Sequence, residues 1–371
     1  MAYVARADES EKPLTIENQC AETIYPGIVT QSGQEPEIGG FKLDSGDSRS
    51  LTVGADWQGR VWGRTNCSFN AQGTGPGNNG GNNGGGRACG TGDCGGIVNC
   101  RATGETPVSL AEFTLASPSG QTFYDISLVD GYNIPIAIVS LYPQSGNSSL
   151  QQIPPNLTNP ICIGTSSLLG AKGSTEGSHS GTNDSFPIPL EESVSTSDVA
   201  SWCPWDLQLS APTKPGDGIY PYPDDKIQRP IFDPCFSACA KYNKPSDCCT
   251  GHYDNPNVCK ASIYSKNAKK VCPDAYSFAF DDQTSTFIIP SGGGFQVTFC
   301  PQGRSSNIIS VYKKQLLQLT ETGHVSSSSL SDLEGVSVVR TNGAAKRGFL
   351  DEMTFLICTV GTMAALGFLI W

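Results

Sequence analysis

Cysteine is the residue whose number and spacing first suggest chemistry in this chain. The sequence contains 15 cysteines but only three histidines. The stretch CGTGDCGGIVNC places Cys89, Cys94 and Cys100 within twelve residues. Cysteines at this density bind a metal ion, exchange electrons or form structural disulfides.

The spacing of the cysteines favours disulfides. Zinc sites commonly use paired C-x-x-C ligands, whereas four residues separate Cys89 from Cys94 and five separate Cys94 from Cys100. The adjacent Cys248 and Cys249 are poorly placed to bind one ion together. We therefore predict structural disulfides, an oxidising compartment, no metal and no cofactor.

Three glycosylation sequons agree with export from the cell. They begin at Asn147, Asn156 and Asn183, and such triplets accept glycans on the surface loops of secreted proteins. We expect an extracellular protein in the cell wall or on the outer face of the plasma membrane.

The elements that must position the cysteines are mostly β-strands. The chain has 42 glycines and 25 prolines, which weaken helix interiors. Short runs such as TFYDISLV and IPIAIVSLY alternate with turn residues in the first half, and seven cysteines fall between Cys203 and Cys272. We predict a mainly β fold, with a sandwich or barrel core and a disulfide-rich lobe of loops and short helices.

The C-terminal segment has the composition of a membrane anchor. Residues 353–371 carry no charge and are long enough to span a bilayer. Small residues and a short polar stretch precede them, in the order of a GPI-attachment signal. Asn342 or Gly343 is the predicted attachment site, and an ordinary transmembrane anchor is the alternative.

Several motifs resemble those of the thaumatin-like proteins. The segment from Gly85 to Cys100 matches the family signature, in which T-G-D-C and one or two glycines lie between two further cysteines. The blocks WGRTNC, LAEFTL, FYDISLVDGYNIP, CPDAYSFAFDD and FQVTFCP also appear in the family's order. The chain is similar to this family over residues 13–301, and its GPI-type tail suggests a fungal type.

The resemblance implies seven disulfides. The family has one further bridge, but here Ile289 replaces one of its cysteines and the partner upstream of Cys162 is missing. Cys358 lies in the hydrophobic tail and is set aside. The pairs implied by the family are Cys20–Cys300, Cys67–Cys89, Cys94–Cys100, Cys162–Cys272, Cys203–Cys235, Cys239–Cys248 and Cys249–Cys259.

The resemblance also implies an acidic cleft between the β core and the lobe, where relatives bind β-1,3-glucan and some hydrolyse it. By motif, the residues that line it are Arg64, Glu112, Asp125, Asp130 and Asp281, with the adjacent Asp282 as an alternative to the last.

Hydrolysis of β-1,3-glucan needs one protonated and one ionised carboxyl group. We assign Glu112 as the acid and Asp130 as the base or nucleophile. The other three residues would tune charge and bind sugar hydroxyls. Structural roles are open for the same residues, because Asp130 could shape a turn and Arg64 could pair with any acid.

These observations divide the chain into four segments. They are an N-terminal remnant without a signal-peptide run (1–12), a thaumatin-like domain (13–301) with insertions at about 75–86 and 164–201, a Ser-rich stalk (302–345), and the hydrophobic tail (346–371).

The predicted function is that of a secreted, surface-anchored monomer that binds β-1,3-glucan or another wall polysaccharide during cell-wall remodelling. Whether it also hydrolyses that glucan, as an endo-β-1,3-glucanase, stays open. The alternative is a non-catalytic defence or antimicrobial protein that binds a partner. The tail makes the membrane a second partner, whereas the formal net charge of −11 argues against nucleic acid, which needs clustered Lys and Arg.

Overall fold

The structure is a computed structural model that describes residues 11–76, 86–142, 147–172, 188–211 and 232–326. The strands are β1 (Glu11–Asn18), β2 (Tyr25–Ser32), β3 (Ser48–Gly54), β4 (Gln58–Cys67), β5 (Cys89–Thr91), β6 (Leu110–Thr114), β7 (Gln121–Ser127), β8 (Ile136–Ser140), β9 (Ile161–Cys162), β10 (Phe287–Pro290) and β11 (Phe295–Phe299). The helices are α1 (Ser148–Gln151), α2 (Thr196–Ser201), α3 (Ala238–Tyr242), α4 (Pro245–Cys248), α5 (Ile263–Val271), α6 (Ile308–Val311) and α7 (Lys313–Thr322).

Two sheets pack against each other and enclose the main core, which confirms the predicted mainly β fold. One sheet has the order β3-β1-β11-β8-β9. The other, six-stranded sheet has the order β10-β7-β6-β4-β2, with β5 paired to β4 as its sixth strand. Aromatic rings join them: Phe295 of the first sheet lies 5.1 Å from Phe113 and 4.8 Å from Tyr124 of the second, between ring centroids. Such pairs add to the stabilisation from buried apolar area.

Alternation along β6 and β7 decides which side chains face this core. Ala111, Phe113, Tyr124 and Ile126 are buried between the sheets. Because successive strand residues point to opposite faces, Glu112 projects from the outer face of the six-stranded sheet. Asp125, its cross-strand partner in β7, projects from the same face.

Seven disulfides lie in the described residues, and they are the pairs that the resemblance implied. Cys20–Cys300 joins the ends of β1 and β11. The others are Cys67–Cys89, Cys94–Cys100, Cys162–Cys272, Cys203–Cys235, Cys239–Cys248 and Cys249–Cys259. A structural disulfide contributes about 2–4 kcal/mol, so the bridges supply stability that the short helices of the lobe cannot supply by packing alone.

The stalk prediction is wrong for residues 302–326, which belong to the folded core. Ile308 and Leu319, from α6 and α7, are almost fully buried. The carboxylate of Asp274 accepts hydrogen bonds from the Ile308 and Ile309 amides at 2.8 and 2.9 Å. The serine-rich stretch that suggested a stalk begins only after these helices.

The predicted insertion at 164–201 is also too wide. Val194 and Val199 are buried in the main core, and the buried Arg304 side chain donates to the carbonyls of Glu191 and Val194. Residues 173–187 lie outside the described residues, as do 77–85 of the other predicted insertion.

The sequons and the tail are only partly covered by the structure. Asn156 is 2% exposed, so the predicted glycan cannot attach to it in this fold. Asn147 is half-buried and accepts a hydrogen bond from the Ser149 amide at the start of α1. Asn183, Asn342 and the tail fall outside the described residues, and within those residues no helix is both long and apolar enough to cross a membrane.

Candidate active site

Three charged side chains stand side by side on the outer face of the six-stranded sheet. Arg60 of β4 is the register partner of Glu112 in β6, and Glu112 is the partner of Asp125 in β7. We call these three residues the charged row. Arg60 Nη2 lies 3.3 Å from Glu112 Oε1, and both side chains are about one-sixth exposed, at 15% and 16%. The row is therefore accessible from solvent but poorly hydrated.

Asp125 is the most perturbed carboxyl group of the row. Burial raises its pKa well above the ordinary value, and the negative charges of Glu112 and Asp282 raise it further. Its Oδ1 atom is buried and has no hydrogen-bond partner among the described residues. A carboxyl group in these surroundings retains its proton more readily than a hydrated one.

Glu112 is less perturbed than Asp125, although its pKa is also raised. Burial and the charge of Asp130 raise the pKa of Glu112, but the Arg60 guanidinium and a hydrogen bond from the Ser127 hydroxyl favour its ionised form. The ionised forms of two facing carboxyl groups repel each other, so it costs free energy to ionise both. One of the two therefore carries more of the negative charge than the other.

Asp130 lies just beyond β7, beside the row. Burial raises its pKa, whereas Arg60 lowers it. The next residue, Gly131, has φ of 105°, and a Cβ atom there would lie 2.5 Å from the Cys235 carbonyl oxygen. The turn thus requires glycine. Asp130 therefore precedes a turn that requires glycine, and its charge acts on Glu112 while Arg60 acts on it.

The structure separates the neighbouring Asp281 and Asp282. Asp281 Oδ2 accepts hydrogen bonds from the amide and hydroxyl of Ser277 and lies 3.2 Å from Lys269 Nζ. These contacts fix the loop that leads into β10. Asp282 is exposed, accepts a hydrogen bond from the Tyr276 hydroxyl and acts on the pKa of Asp125. The charge that faces the row is that of Asp282.

Arg64 does not line the cleft, contrary to the expectation from the sequence. Its side chain is fully buried, and its guanidinium donates to four backbone carbonyls, those of Tyr25, Pro26, Ile97 and Val98. Burial lowers its pKa to about 10, which leaves it cationic at neutral pH. Arg64 fastens the segment after β5 to the sheet.

The lobe packs against the end of β7, beside the charged row. Tyr264 of α5 donates a hydrogen bond to the Leu128 carbonyl at 2.7 Å, and the backbone of Tyr276 pairs with Ser127. Trp202 is buried and donates to the Gly164 carbonyl. That tryptophan is therefore a core residue.

Reasoning from the sequence missed three residues at this site: Arg60, Tyr276 and Lys269. Arg60 and Arg64 share one face of β4, because they are four positions apart in the strand, so strand periodicity alone cannot choose between them. The choice depends on which residue lies opposite Glu112, which is a matter of register. The sequence carries no direct signal for that register.

Comparison with known proteins agrees with the fold and the disulfides. The model of the thaumatin family matches residues 18–301. The chain is 36% identical over 289 residues to a pathogenesis-related thaumatin-like protein of Cryptomeria japonica, covering 77% of this chain and 89% of that protein. It is 35% identical over 287 residues to pathogenesis-related protein 5 of Arabidopsis thaliana, with the same two coverages.

Among solved structures, a thaumatin-like xylanase inhibitor matches at 31% identity over 35% of this chain and 77% of that one, with a TM-score of 0.28. At that score the structural overlap adds nothing to the sequence matches. The family match and the two relatives are sufficient by themselves: the chain belongs to the thaumatin family.

Proposed function

We propose that the chain binds β-1,3-glucan over the charged row and hydrolyses it. The observation that carries this proposal is the cross-strand pair of Glu112 and Asp125, next to Arg60. The pKa of Asp125 is raised well above its ordinary value, whereas Arg60 and Ser127 oppose the rise at Glu112, so of the two Glu112 loses its proton more readily. Glycoside hydrolysis requires two such groups.

The surroundings support roles that differ from those assigned from the sequence. Asp125, whose pKa is raised well above its ordinary value mainly by burial, is the better proton donor to the leaving oxygen. Glu112, beside Arg60, is the better base or nucleophile. Asp130 faces the same arginine and supports the pair through its charge.

The spacing of the pair supports a retaining reaction. Side chains directly opposite each other in an antiparallel sheet have Cβ atoms roughly 4.5–5.5 Å apart, and Glu112 and Asp125 are such partners. Retaining glycosidases place their two carboxyl groups about 5–5.5 Å apart, whereas inverting enzymes need a wider gap for water. We therefore expect the β configuration to be kept.

The seven disulfides support export to an oxidising, extracellular compartment. A cell-wall location, a monomeric state and anchoring by the tail at 346–371 are parts of the same proposal. The names of the relatives, both pathogenesis-related proteins, favour a second candidate function. This is a defence protein that binds glucan or a partner without turnover.

The test incubates the secreted protein with insoluble β-1,3-glucan and measures both pelleted protein and released reducing sugar. Wild type should pellet and release sugar, while Glu112→Gln and Asp125→Asn should pellet but release at least about 100-fold less. Glu35 is exposed and distant in sequence from the charged row, so Glu35→Gln should behave as wild type. Pelleting without sugar release from wild type would favour the defence protein. If wild type neither pellets nor releases sugar, both candidate functions are refuted.

A further inference from the structure

Tyr276 is attached by its backbone to the strand that carries Asp125. The Tyr276 amide donates to the Ile126 carbonyl at 2.8 Å, and the Leu128 amide donates to the Tyr276 carbonyl at 2.8 Å. The residue thereby adds a parallel bridge beside the end of β7. Its position relative to Asp125 is therefore set by main-chain contacts, not by the conformation of a surface loop.

The Tyr276 hydroxyl donates a hydrogen bond to Asp282 Oδ1. Asp282 is the exposed first residue of a short 3₁₀ turn, Asp282–Thr284. Of the described residues, Tyr276 alone hydrogen-bonds its carboxylate. A surface aspartate with one tether can take other rotamers if that tether is removed.

Asp125 is faced by charged groups from several elements. Glu112 of β6 and Asp282 raise its pKa, whereas Arg60 of β4 and Lys269 of α5 lower it. Burial is the largest cause of the raised value. The position of Asp282 is the one contribution that depends on a single neutral side chain.

Tyr276 remains a neutral donor over the working range of pH. Burial, followed by the charges of Asp282 and Asp125, raises the pKa of its phenol. The hydroxyl therefore keeps its proton and its hydrogen bond while the carboxyl groups around it titrate.

We propose that Tyr276 is a positioning residue of the site, whose hydroxyl holds the Asp282 carboxylate beside the end of β7, the strand that carries Asp125, and so prepares Asp125 for proton donation. The catalytic part of this inference rests on the proposed function. The positioning itself does not, because it concerns the protonation of Asp125 in the free protein.

The test is a carbon-13 NMR titration of the Asp125 carboxyl group, identified by the loss of its signal in Asp125→Asn. Tyr276→Phe should move the midpoint of Asp125 to lower pH, and so should Asp282→Asn. The double variant should move it no further than Asp282→Asn alone, because both changes remove the same charge from the same place.

Tyr242→Phe is the matched control. The Tyr242 hydroxyl also donates to an aspartate, Asp206, on the exposed surface of the lobe, so this variant loses the same kind of hydrogen bond elsewhere. It should leave the Asp125 midpoint unchanged. An unchanged Asp125 midpoint in Tyr276→Phe would overturn the proposal. So would a double variant in which the shifts of Tyr276→Phe and Asp282→Asn simply add.

Asp282→Asn protects the test against a folding defect in Tyr276→Phe, because Asp282 is exposed. If Asp282→Asn leaves Asp125 unchanged, the proposal fails whatever Tyr276→Phe does. Where sugar release is detected, the fall in activity at the alkaline side of the profile should begin at a lower pH in Tyr276→Phe and in Asp282→Asn than in wild type. If wild type releases no sugar, the proposed hydrolysis fails, while the titration still decides the role of Tyr276.

Discussion

The outer face of the six-stranded sheet has a covered end and an open end, and β4 places an arginine at each. Arg64, at the covered end, is fully buried, and its guanidinium donates hydrogen bonds to backbone carbonyls. Arg60, at the open end, lies beside the carboxylate of Glu112 and keeps some contact with solvent. The two side chains have the same chemistry and the same strand face.

The segment that follows β5 makes the difference. It lies over the covered end, where Trp62 donates to the Gly92 carbonyl at 2.8 Å and Arg64 donates to the Val98 carbonyl at 2.6 Å. Asp93, in the same segment, is buried and accepts hydrogen bonds from the amides of Ala88, Cys89 and Gly96. At the open end, Arg60 and Glu112 each keep about one-sixth of their side-chain surface exposed.

The comparison teaches that the covering segment, and not the residue type, decides whether a charged side chain on this sheet is structural or available for chemistry. Charges at the covered end have backbone partners in place of water. Charges at the open end have mainly one another, and burial is the largest cause of the raised pKa values of Glu112 and Asp125. The predictions below test this division.

The largest expected effect is on stability, from Arg64→Met. The change leaves four buried carbonyls without their donor, and the free energy of unfolding should fall by about 3–5 kcal/mol. Arg60→Met, the matched change on the same strand face, removes the cation beside Glu112. It should cost less, about 1–2 kcal/mol, because Glu112 keeps some contact with solvent and can take up a proton. Guanidinium unfolding of both variants measures the difference, and equal losses would abolish the distinction between the two ends.

The next effect separates two aspartates. Asp93→Asn replaces a carboxylate that accepts three amides, so it should lower the free energy of unfolding by about 2 kcal/mol and leave sugar release unchanged. Asp125→Asn should abolish sugar release and raise stability at neutral pH.

The sign of the Asp125 effect follows from its raised pKa. Between its unfolded and folded pKa values, the folded state binds a proton that the unfolded state has lost, so stability falls as pH rises through that window. Asp125→Asn should flatten this part of the stability profile, as measured by thermal unfolding from pH 4 to pH 8. A profile that keeps its full slope would show that Asp125 is not the perturbed group.

A smaller effect is expected from Arg60→Met on the dependence of activity on pH. Arg60 lowers the pKa values of Glu112, Asp125 and Asp130, so its removal should raise all three. The rise of activity with pH, which requires ionised Glu112, should begin at higher pH, with about a tenfold loss below the wild-type optimum. If the maximum activity of Arg60→Met falls but the profile does not shift along the pH axis, the role of Arg60 is in binding sugar alone.

The smallest effect is expected from Ser127→Ala. The hydroxyl of Ser127 hydrogen-bonds Glu112 and favours its ionised form. Its loss should shift the same part of the activity profile in the same direction as Arg60→Met, but only by about the value of one hydrogen bond, roughly 1 kcal/mol. Ser50→Ala, an exposed serine in β3, should leave the profile unchanged.

Much of the fold could be predicted because local pattern and covalent chemistry specify it. The alternation in TFYDISLV predicts a strand with Tyr124 and Ile126 inward, and both are buried in the core. The cysteine pairs followed from family motifs. The segment after Pro301 was misjudged, although Ile308, Tyr312 and Leu319 recur at helical spacing and are buried; the serines downstream dominated its composition.

The site was only partly predictable because it depends on register and on covering segments. The motifs identify Glu112 and Asp125 but cannot show that Arg60 lies beside them in place of Arg64. They also cannot separate Asp281 from Asp282, since only the hydrogen bonds of the loop distinguish an aspartate that fixes a turn from one that faces the row.

The central claim is that the open end of the sheet carries a carboxyl pair that hydrolyses β-1,3-glucan. Its most direct test is proton NMR of the first anomer released from a short β-1,3-gluco-oligosaccharide. The account predicts that wild type and Glu35→Gln release the β anomer first, and that Glu112→Gln and Asp125→Asn release none over the same time. An α anomer released first, or equal release by Glu112→Gln, would contradict it.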